Sequence, residues 1–150
     1  MSQIKINKLS SEDFLESFKK VPRAAVSIAI YNDKSLIMLT KRNEDPFKGN
    51  WHLPGSFIIK SESIDECIER VLEEELGFGG KFSSELLFIS EDIDKDPRGH
   101  AIDLIYKVKV DDLSKLKPVG RTADLQYFDK IDVVVGFNHS DVLKKLGFVL

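Results

Sequence analysis

The chain has 150 residues, 42% of them hydrophobic, which suffices for one domain with a buried core. Its formal net charge of -3 excludes the broad basic footprint of a nucleic-acid-binding domain, so any nucleotide contact must be local. A single cysteine, Cys67, excludes a disulfide framework or a thiolate zinc site within one chain and suits a reducing, cytoplasmic setting.

The opening "MSQIKINKLSSEDFLESF" lacks the apolar core of a signal peptide, and no run reaches the roughly eighteen apolar residues of a membrane span. The chain therefore reads as soluble, with no membrane partner. Ser10 or Ser11 caps a short helix predicted through Lys19, with Phe14, Leu15 and Phe18 on one face and Pro22 ending it. "AAVSIAI" and "SLIMLTK" are strand-length apolar runs around the turn-like "YNDK", the pattern of a hairpin. "EDPFKGNWHLPGS" is a turn-rich loop with aromatic anchors.

A helix is predicted from Ile64 to Leu76. Ser63 and Glu66 form a capping box at its start, and Gly77 stops it. Ile64, Cys67, Ile68, Val71 and Leu72 make its buried stripe. At 100° per residue Glu74 and Glu75 lie about 60° and 40° to either side of Val71, whereas Glu73 points about 200° away. Two carboxylates thus flank the edge of the stripe, where hard oxygens suit Mg²⁺ together with substrate phosphates. Glu66 and Glu74 are each four residues from Arg70 and can pair with it. The competing use of such glutamates is an ordinary solvated face.

Beyond the helix come the strand-like "ELLFIS", the charged loop "EDIDKDPRGH", the alternating strand "AIDLIYKVKV", the strand-like "LQYF" and a last short helix near "SDVLKKL". Several strands with three helices at most, and no linker or repeat, predict one layered α/β or α+β domain over residues 1–150.

The stretch from Ser56 to Phe78 resembles the signature of the Nudix (MutT-like) hydrolases: Gly, five residues, Glu, seven residues, then Arg-Glu-aliphatic-any-Glu-Glu-any-Gly-aliphatic. Glu62, Arg70, Leu72, Glu74, Glu75, Gly77 and Phe78 stand where that pattern asks. Ser56 replaces its glycine and Val71 one glutamate. "LTKRNEDPFKGNWHLPG", "DPRGHAIDLIY" and "GFNHSDVLKKL" are similar to segments of the ADP-ribose pyrophosphatase-like branch. The opening "EDF" resembles the GDP-mannose mannosyl hydrolases, which also lack a glutamate at the position of Val71.

The resemblance implies an α/β/α sandwich with a mixed central sheet, a frequent homodimer, and hydrolysis of a nucleoside diphosphate linked to another group. Mg²⁺ or Mn²⁺ would be held by Glu75, Glu74 and the Ser56 carbonyl, with Arg70 and Glu62 orienting the helix. Ser56 is tolerable if only its carbonyl is used, unless a positive φ is required. Val71 is the severe departure, because valine neither binds metal nor accepts a proton.

Lys41, Arg42 and Arg98 are the candidates for holding phosphates, their other use being surface charge. Trp51 and Phe47 stack on a base or sugar, or else pin a loop to the core. Glu91, Asp92, Asp94, Asp96 and His100 lie in the loop from which this fold often brings a further acid. Asp124 is a candidate base for chemistry at a sugar carbon. His52 and His139 are given no role; His139 caps or packs the last helix. Two readings follow, a hydrolase of ADP-ribose-like or nucleotide-sugar diphosphates, and an impaired Nudix-fold protein that binds such a ligand or regulates.

Overall fold

The computed structural model describes residues 7–150; residues 1–6, part of the segment read above for a leader, lie outside them. Helix α1 (Ser11–Ser17) starts at an Ser10 side chain that accepts the Asp13 N–H, and it ends two residues before the predicted Lys19. Phe14 and Phe18 meet edge to face at 5.2 Å on its inner side.

Strand β1 (Arg23–Ala29) is buried along most of its length because both faces are covered. Its even residues Val26 and Ile28 pack with Cys67, Ile68, Val71 and Leu72 of helix α2 (Ile64–Leu76). Its odd residues face the other way, and Ala29 joins Leu39, Leu53, Val142 and Leu143 in a second core beneath helix α3 (His139–Lys145). The result is the expected mixed α+β architecture, with helices on both sides of the strands.

The predicted hairpin is replaced by a parting of ways. Strand β2 (Ile37–Arg42) touches the end of β1 only through the Tyr31–Ile37 bridge and the Met38 N–H on the Ile30 carbonyl. It then pairs with β3 (Trp51–His52) and β7 (Thr122–Phe128) in a three-stranded sheet. Strand β1 instead lies between β4 (Gly55–Phe57), antiparallel, and β6 (Ala101–Val110), parallel, with β5 (Phe82–Asp92) outermost in the order β4-β1-β6-β5. Strands buried on both faces gain more from pairing inside two sheets than from a two-stranded ribbon, which is marginal alone. Strand β5 starts before the predicted "ELLFIS" and runs through Glu91 and Asp92, residues assigned above to the loop. No described helix is long and apolar enough to cross a membrane.

Candidate active site

Helix α2 begins and ends where its sequence dictates. The Ser63–Glu66 capping box is complete, and Gly77 takes φ 61°, the left-handed conformation that glycine adopts without strain. Arg70 then ties the helix to β4 and to the turn before it. Its Nε and Nη2 donate to Glu62 at 2.7 and 3.0 Å, Nη1 to the Ser56 hydroxyl at 3.0 Å, and Nη2 to the Phe57 carbonyl at 2.9 Å. Burial raises the Glu62 pKa, but the Arg70 and Ile59 hydrogen bonds outweigh it and hold the carboxyl below its ordinary value. Arg70 and Glu62 therefore brace helix α2 against β4 and the turn before it.

This network places Glu75 at the free edge of β4, on the rim of a cavity of about 780 Å³. Glu75 is only 7% exposed, and its Oε2 has no hydrogen-bond partner among the described residues. Burial pushes its pKa up to about 7, against the pull of Arg121, the Gly55 N–H and Arg42. Glu74 also reaches the cavity, but it is half-exposed and holds Lys8 at 2.7 Å and Arg70 at 3.5 Å. Val71 is buried in the core, as the stripe requires.

The carbonyl predicted as a ligand is displaced by one residue. Hydrogen bonds from Ile58 N–H to Ala24 and from Ile28 N–H to Pro54 flank the Val26–Ser56 pair, which makes Ser56 a ladder-bonded residue facing β1. Its carbonyl also lies 3.9 Å from the Cys67 thiol, so it serves the sheet and the core and not the cavity edge. Gly55, one residue earlier, turns its backbone groups to the free side, where its N–H meets Glu75 and its carbonyl lies alongside. A Cβ at Gly55 would come 2.5 Å from the Val26 carbonyl, so glycine is required there, whereas Ser56 has no positive φ. The Glu75 carboxylate and the Gly55 carbonyl are thus hard oxygen donors at the same free edge of β4. Among the described residues no group of three or more His, Cys, Asp or Glu is arranged to hold a metal ion. This edge suits a cation that takes the rest of its ligands from phosphate and water.

The Arg121 and Arg42 guanidinium groups act on Glu75, and Arg98, beside Arg42, lines the same cavity. A bulge between Lys41 and Arg42 re-aims β2 at its end. Arg42 enters the cavity, while Lys41 stays paired with Trp51 and Asp124 and does not line it. Arg42 donates to the Pro46 carbonyl, and its guanidinium lies 5.1 Å from the Phe137 ring. Arg98 is forked onto Asp96 at 2.9 and 3.0 Å and lies 5.6 Å from the same ring. Phe137 holds φ 55°, a costly conformation for a bulky residue, between the two arginines.

Two further expectations are corrected. Trp51 is 8% exposed and meets Phe128 edge-on at 5.4 Å within the second core, so it anchors β3 and does not face a ligand. Asp124 bonds to the Leu125 N–H and the Gln126 amide outside the cavity. Of the loop acids, Asp92 and Asp96 are buried in the cavity wall, while Glu91 and Asp94 are exposed. Asp92 holds the Lys95 and Asp96 N–H groups and thereby shapes the turn that presents Arg98.

The opposite wall holds residues that sequence reasoning passed over. His139 is buried; its Nδ1 accepts the Leu53 N–H at 3.0 Å and its Nε2 lies 3.4 Å from Asp103. Ser27 donates to the same Asp103 oxygen at 2.8 Å. His52 stacks 5.9 Å from His139, and burial, then His139 and the three arginines, lowers its pKa well below the ordinary value. The signal for Asp103 was present, an acid at an inward position of the β6 alternation; for Arg121, Gly55 and Phe137 the primary sequence carried no distinguishing mark.

A family model described as NUDIX domain matches residues 21–146. The ADP-ribose pyrophosphatase of Methanocaldococcus jannaschii is 34% identical over 124 residues, covering 82% of this chain and 72% of that one. The NUDIX domain of Shewanella oneidensis NrtR, solved in complex with ADP ribose, superposes with a TM-score of 0.67 at 20% identity, over 92% of this chain and 97% of that one. A bifunctional NMN adenylyltransferase/ADP ribose pyrophosphatase from Francisella tularensis, solved with AMP and a Mn ion, superposes with a TM-score of 0.69 at 18% identity, over 90% of this chain and 46% of that one. At those identities the two structures speak for the fold.

Proposed function

The chain belongs to the NUDIX family, and from that premise we propose that it hydrolyses an ADP-ribose-like nucleoside diphosphate at phosphorus with a divalent cation, Mg²⁺ or Mn²⁺. The observation that carries this reading is the bare Oε2 of buried Glu75 beside Gly55, in one cavity with Arg42, Arg98 and Arg121. An unpartnered buried carboxylate is costly, and a cation supplies what it lacks. The similarity to an ADP-ribose pyrophosphatase and the size of the cavity support this substrate class.

Arg42, Arg98 and Arg121 would hold the diphosphate, each presenting donors in a fork that matches phosphate oxygens. Phe137 and Asp96 keep two of those forks in place, so little order is lost on binding. Glu75 and the Gly55 carbonyl would hold the cation, with Arg70 and Glu62 fixing the helix behind them. A bound cation neutralises phosphate charge and thereby lowers the barrier to attack.

A second reading, a protein that binds such a ligand without turning it over, draws on Val71 and on the lack of a third carboxylate at the edge. Incubation of wild type, Glu75→Gln and Val71→Glu with ADP-ribose and nucleotide sugars, with Mg²⁺ or Mn²⁺, separates the two. The hydrolase reading expects product from wild type and none from Glu75→Gln. Product from Val71→Glu alone would replace it with the binder.

A further inference from the structure

We propose that Asp103 accepts the proton of the attacking water, an inference that rests on the hydrolase reading above. Asp103 occupies an inward position of β6 between Ala101 and Ile105, where alternation calls for an apolar side chain, and it is only 5% exposed. One carboxylate oxygen is fully engaged: Oδ2 receives the Ser27 hydroxyl at 2.8 Å and faces His139 Nε2 at 3.4 Å. The His139 ring is fixed in its turn, since Nδ1 accepts the Leu53 N–H and the ring hydrogen must then sit on Nε2, towards Asp103. The other oxygen, Oδ1, is buried and has no partner among the described residues, on a side chain that lines the cavity.

Glu62 shows what a structural carboxylate looks like in this protein. Both of its oxygens are hydrogen-bonded, to Arg70 and to the Ile59 N–H. Asp103 is anchored through one oxygen only, which orients the other for use.

Its place argues for water as the donor. Asp103 is in register with Ala25 on β1, two residues from Ser27, and Ser27 stands opposite Gly55. A Cβ on Gly55 would lie 2.9 Å from the Ser27 hydroxyl, and the Gly55 N–H holds Glu75. Asp103 therefore lies on β6 with only β1 between it and Gly55, and it lines the same cavity as the carboxylate that would hold the cation. Ionised phosphate oxygens have no hydrogen to offer a carboxylate, whereas a water does. On α2, Val71 offers no acid, Glu75 is assigned to the cation and Glu74 is engaged by Lys8 and Arg70, so the proton needs another acceptor.

In the step, the water gives one hydrogen to Asp103 Oδ1 while its oxygen forms a bond to phosphorus. The bridging P–O bond breaks with its electron pair on the departing phosphate, and the products are a nucleoside monophosphate and a sugar phosphate. Asp103 then releases its proton to solvent. Ser27 and His139 are positioning residues that steady the second oxygen.

The test is steady-state hydrolysis of ADP-ribose with Mg²⁺ by wild type, Asp103→Asn and Asp103→Ala, with AMP affinity measured on each. Asp103→Asn is expected to lower kcat by about 10²- to 10⁴-fold, with KM and AMP affinity within about threefold. Formate is expected to restore part of the activity of Asp103→Ala and none of that of Asp103→Asn, because only the alanine leaves room for it. Hydrolysis by Asp103→Asn within about threefold of wild type overturns this inference alone, as does a loss confined to KM and AMP affinity. An inactive wild type overturns the hydrolase reading and this one together. Should Asp103→Asn fail to fold by circular dichroism, Ser27→Ala and His139→Gln carry the test. Each is expected to lower kcat about tenfold with KM held, and unchanged kcat in both overturns it.

Discussion

Two walls of the cavity treat buried charge in opposite ways. On the wall made by α2 and β4, Arg70 and Glu62 close a network in which each charged oxygen of Glu62 has a donor, and only Glu75 at its outer edge is left bare. On the wall made by β1, β6 and α3, Asp103 is bound through one oxygen by Ser27 and His139 and is unpartnered at the other. The first wall is a brace with one bare oxygen at its rim, and the second carries its bare oxygen at its centre. A buried carboxylate without donors costs stability, so its retention at two places around one cavity marks where a ligand completes the set.

The sharpest way to break this comparison is to remove the bare charge at the rim. Glu75→Gln keeps the shape of the side chain and the Gly55 contact while removing the negative charge that would hold a cation. A loss of about 10³-fold in kcat, roughly 4 kcal/mol of transition-state stabilisation, is expected, with folding intact by circular dichroism. An activity within about tenfold of wild type would show that the rim is not where the cation sits.

Within the brace itself the effect falls on stability. Glu62→Gln leaves the Arg70 guanidinium with Ser56, Phe57 and the half-exposed Glu74 as partners and removes the buried charge opposite it, at a side chain with no solvent exposure. Breaking one member of such a pair is expected to cost about 3 kcal/mol in denaturant unfolding. Ser27→Ala on the opposite wall, which removes one neutral donor, is expected to cost about 1 kcal/mol.

The difference between the walls also decides what the sequence discloses. Helix α2 and its two caps depend on residues close together in the chain, with fixed spacing, and they were legible to the residue. The pairing of Arg70 was legible only in part, since Glu74 meets it as expected, whereas Glu66 is taken up by the capping box and Glu62 from the preceding turn takes its place. The residue turned to the free edge of β4 was not legible, because which of Gly55 and Ser56 faces β1 is set by register across strands. Arg42 and Lys41 were equivalent as residues, and a bulge separates them. The second wall brings Ser27, Asp103 and His139 together from distant parts of the chain, with 76 residues separating Ser27 from Asp103, and such juxtapositions have no local pattern. The expected hairpin kept only its turn, where Tyr31 bridges Ile37 and the Asn32 N–H meets the Leu36 carbonyl, for the same reason, since the partners of the strands beyond it are chosen by the sheets.

Protonation sharpens the contrast at about the same magnitude. The folded-state pKa of Glu75, raised to about 7 by burial, lies above the value of about 4.5 for an exposed glutamate. Its protonated form is the one the metal-free fold prefers, so this contribution is fully present below pH 4.5 and is lost as pH rises through 7. His52, lowered by burial, acts in the opposite direction at acid pH, and the Glu62 contribution is constant above pH 5. Measuring wild type against Glu75→Gln cancels both. The stability of wild type relative to the variant is expected to fall by about 3 kcal/mol between pH 5 and pH 8 in chelator. Mg²⁺ is expected to offset that fall, binding more tightly as pH rises through 7.

The smallest effect concerns the neighbours that the bulge sends apart. Arg42 is held in the cavity by the Pro46 carbonyl and the Phe137 ring, so its fork meets phosphate with little ordering left to do. Arg42→Ala is expected to raise KM for ADP-ribose about tenfold, close to 1.4 kcal/mol, with a smaller change in kcat. Lys41, whose backbone pairs with Trp51 and Asp124 outside the cavity, is the internal control. Lys41→Ala is expected to leave KM within about twofold. Equal losses in the two variants would mean that the charge of the strand end, and not the geometry set by the bulge, attracts the diphosphate. In that case both losses would shrink together in high salt, whereas the loss from a fork bonded inside the cavity would persist.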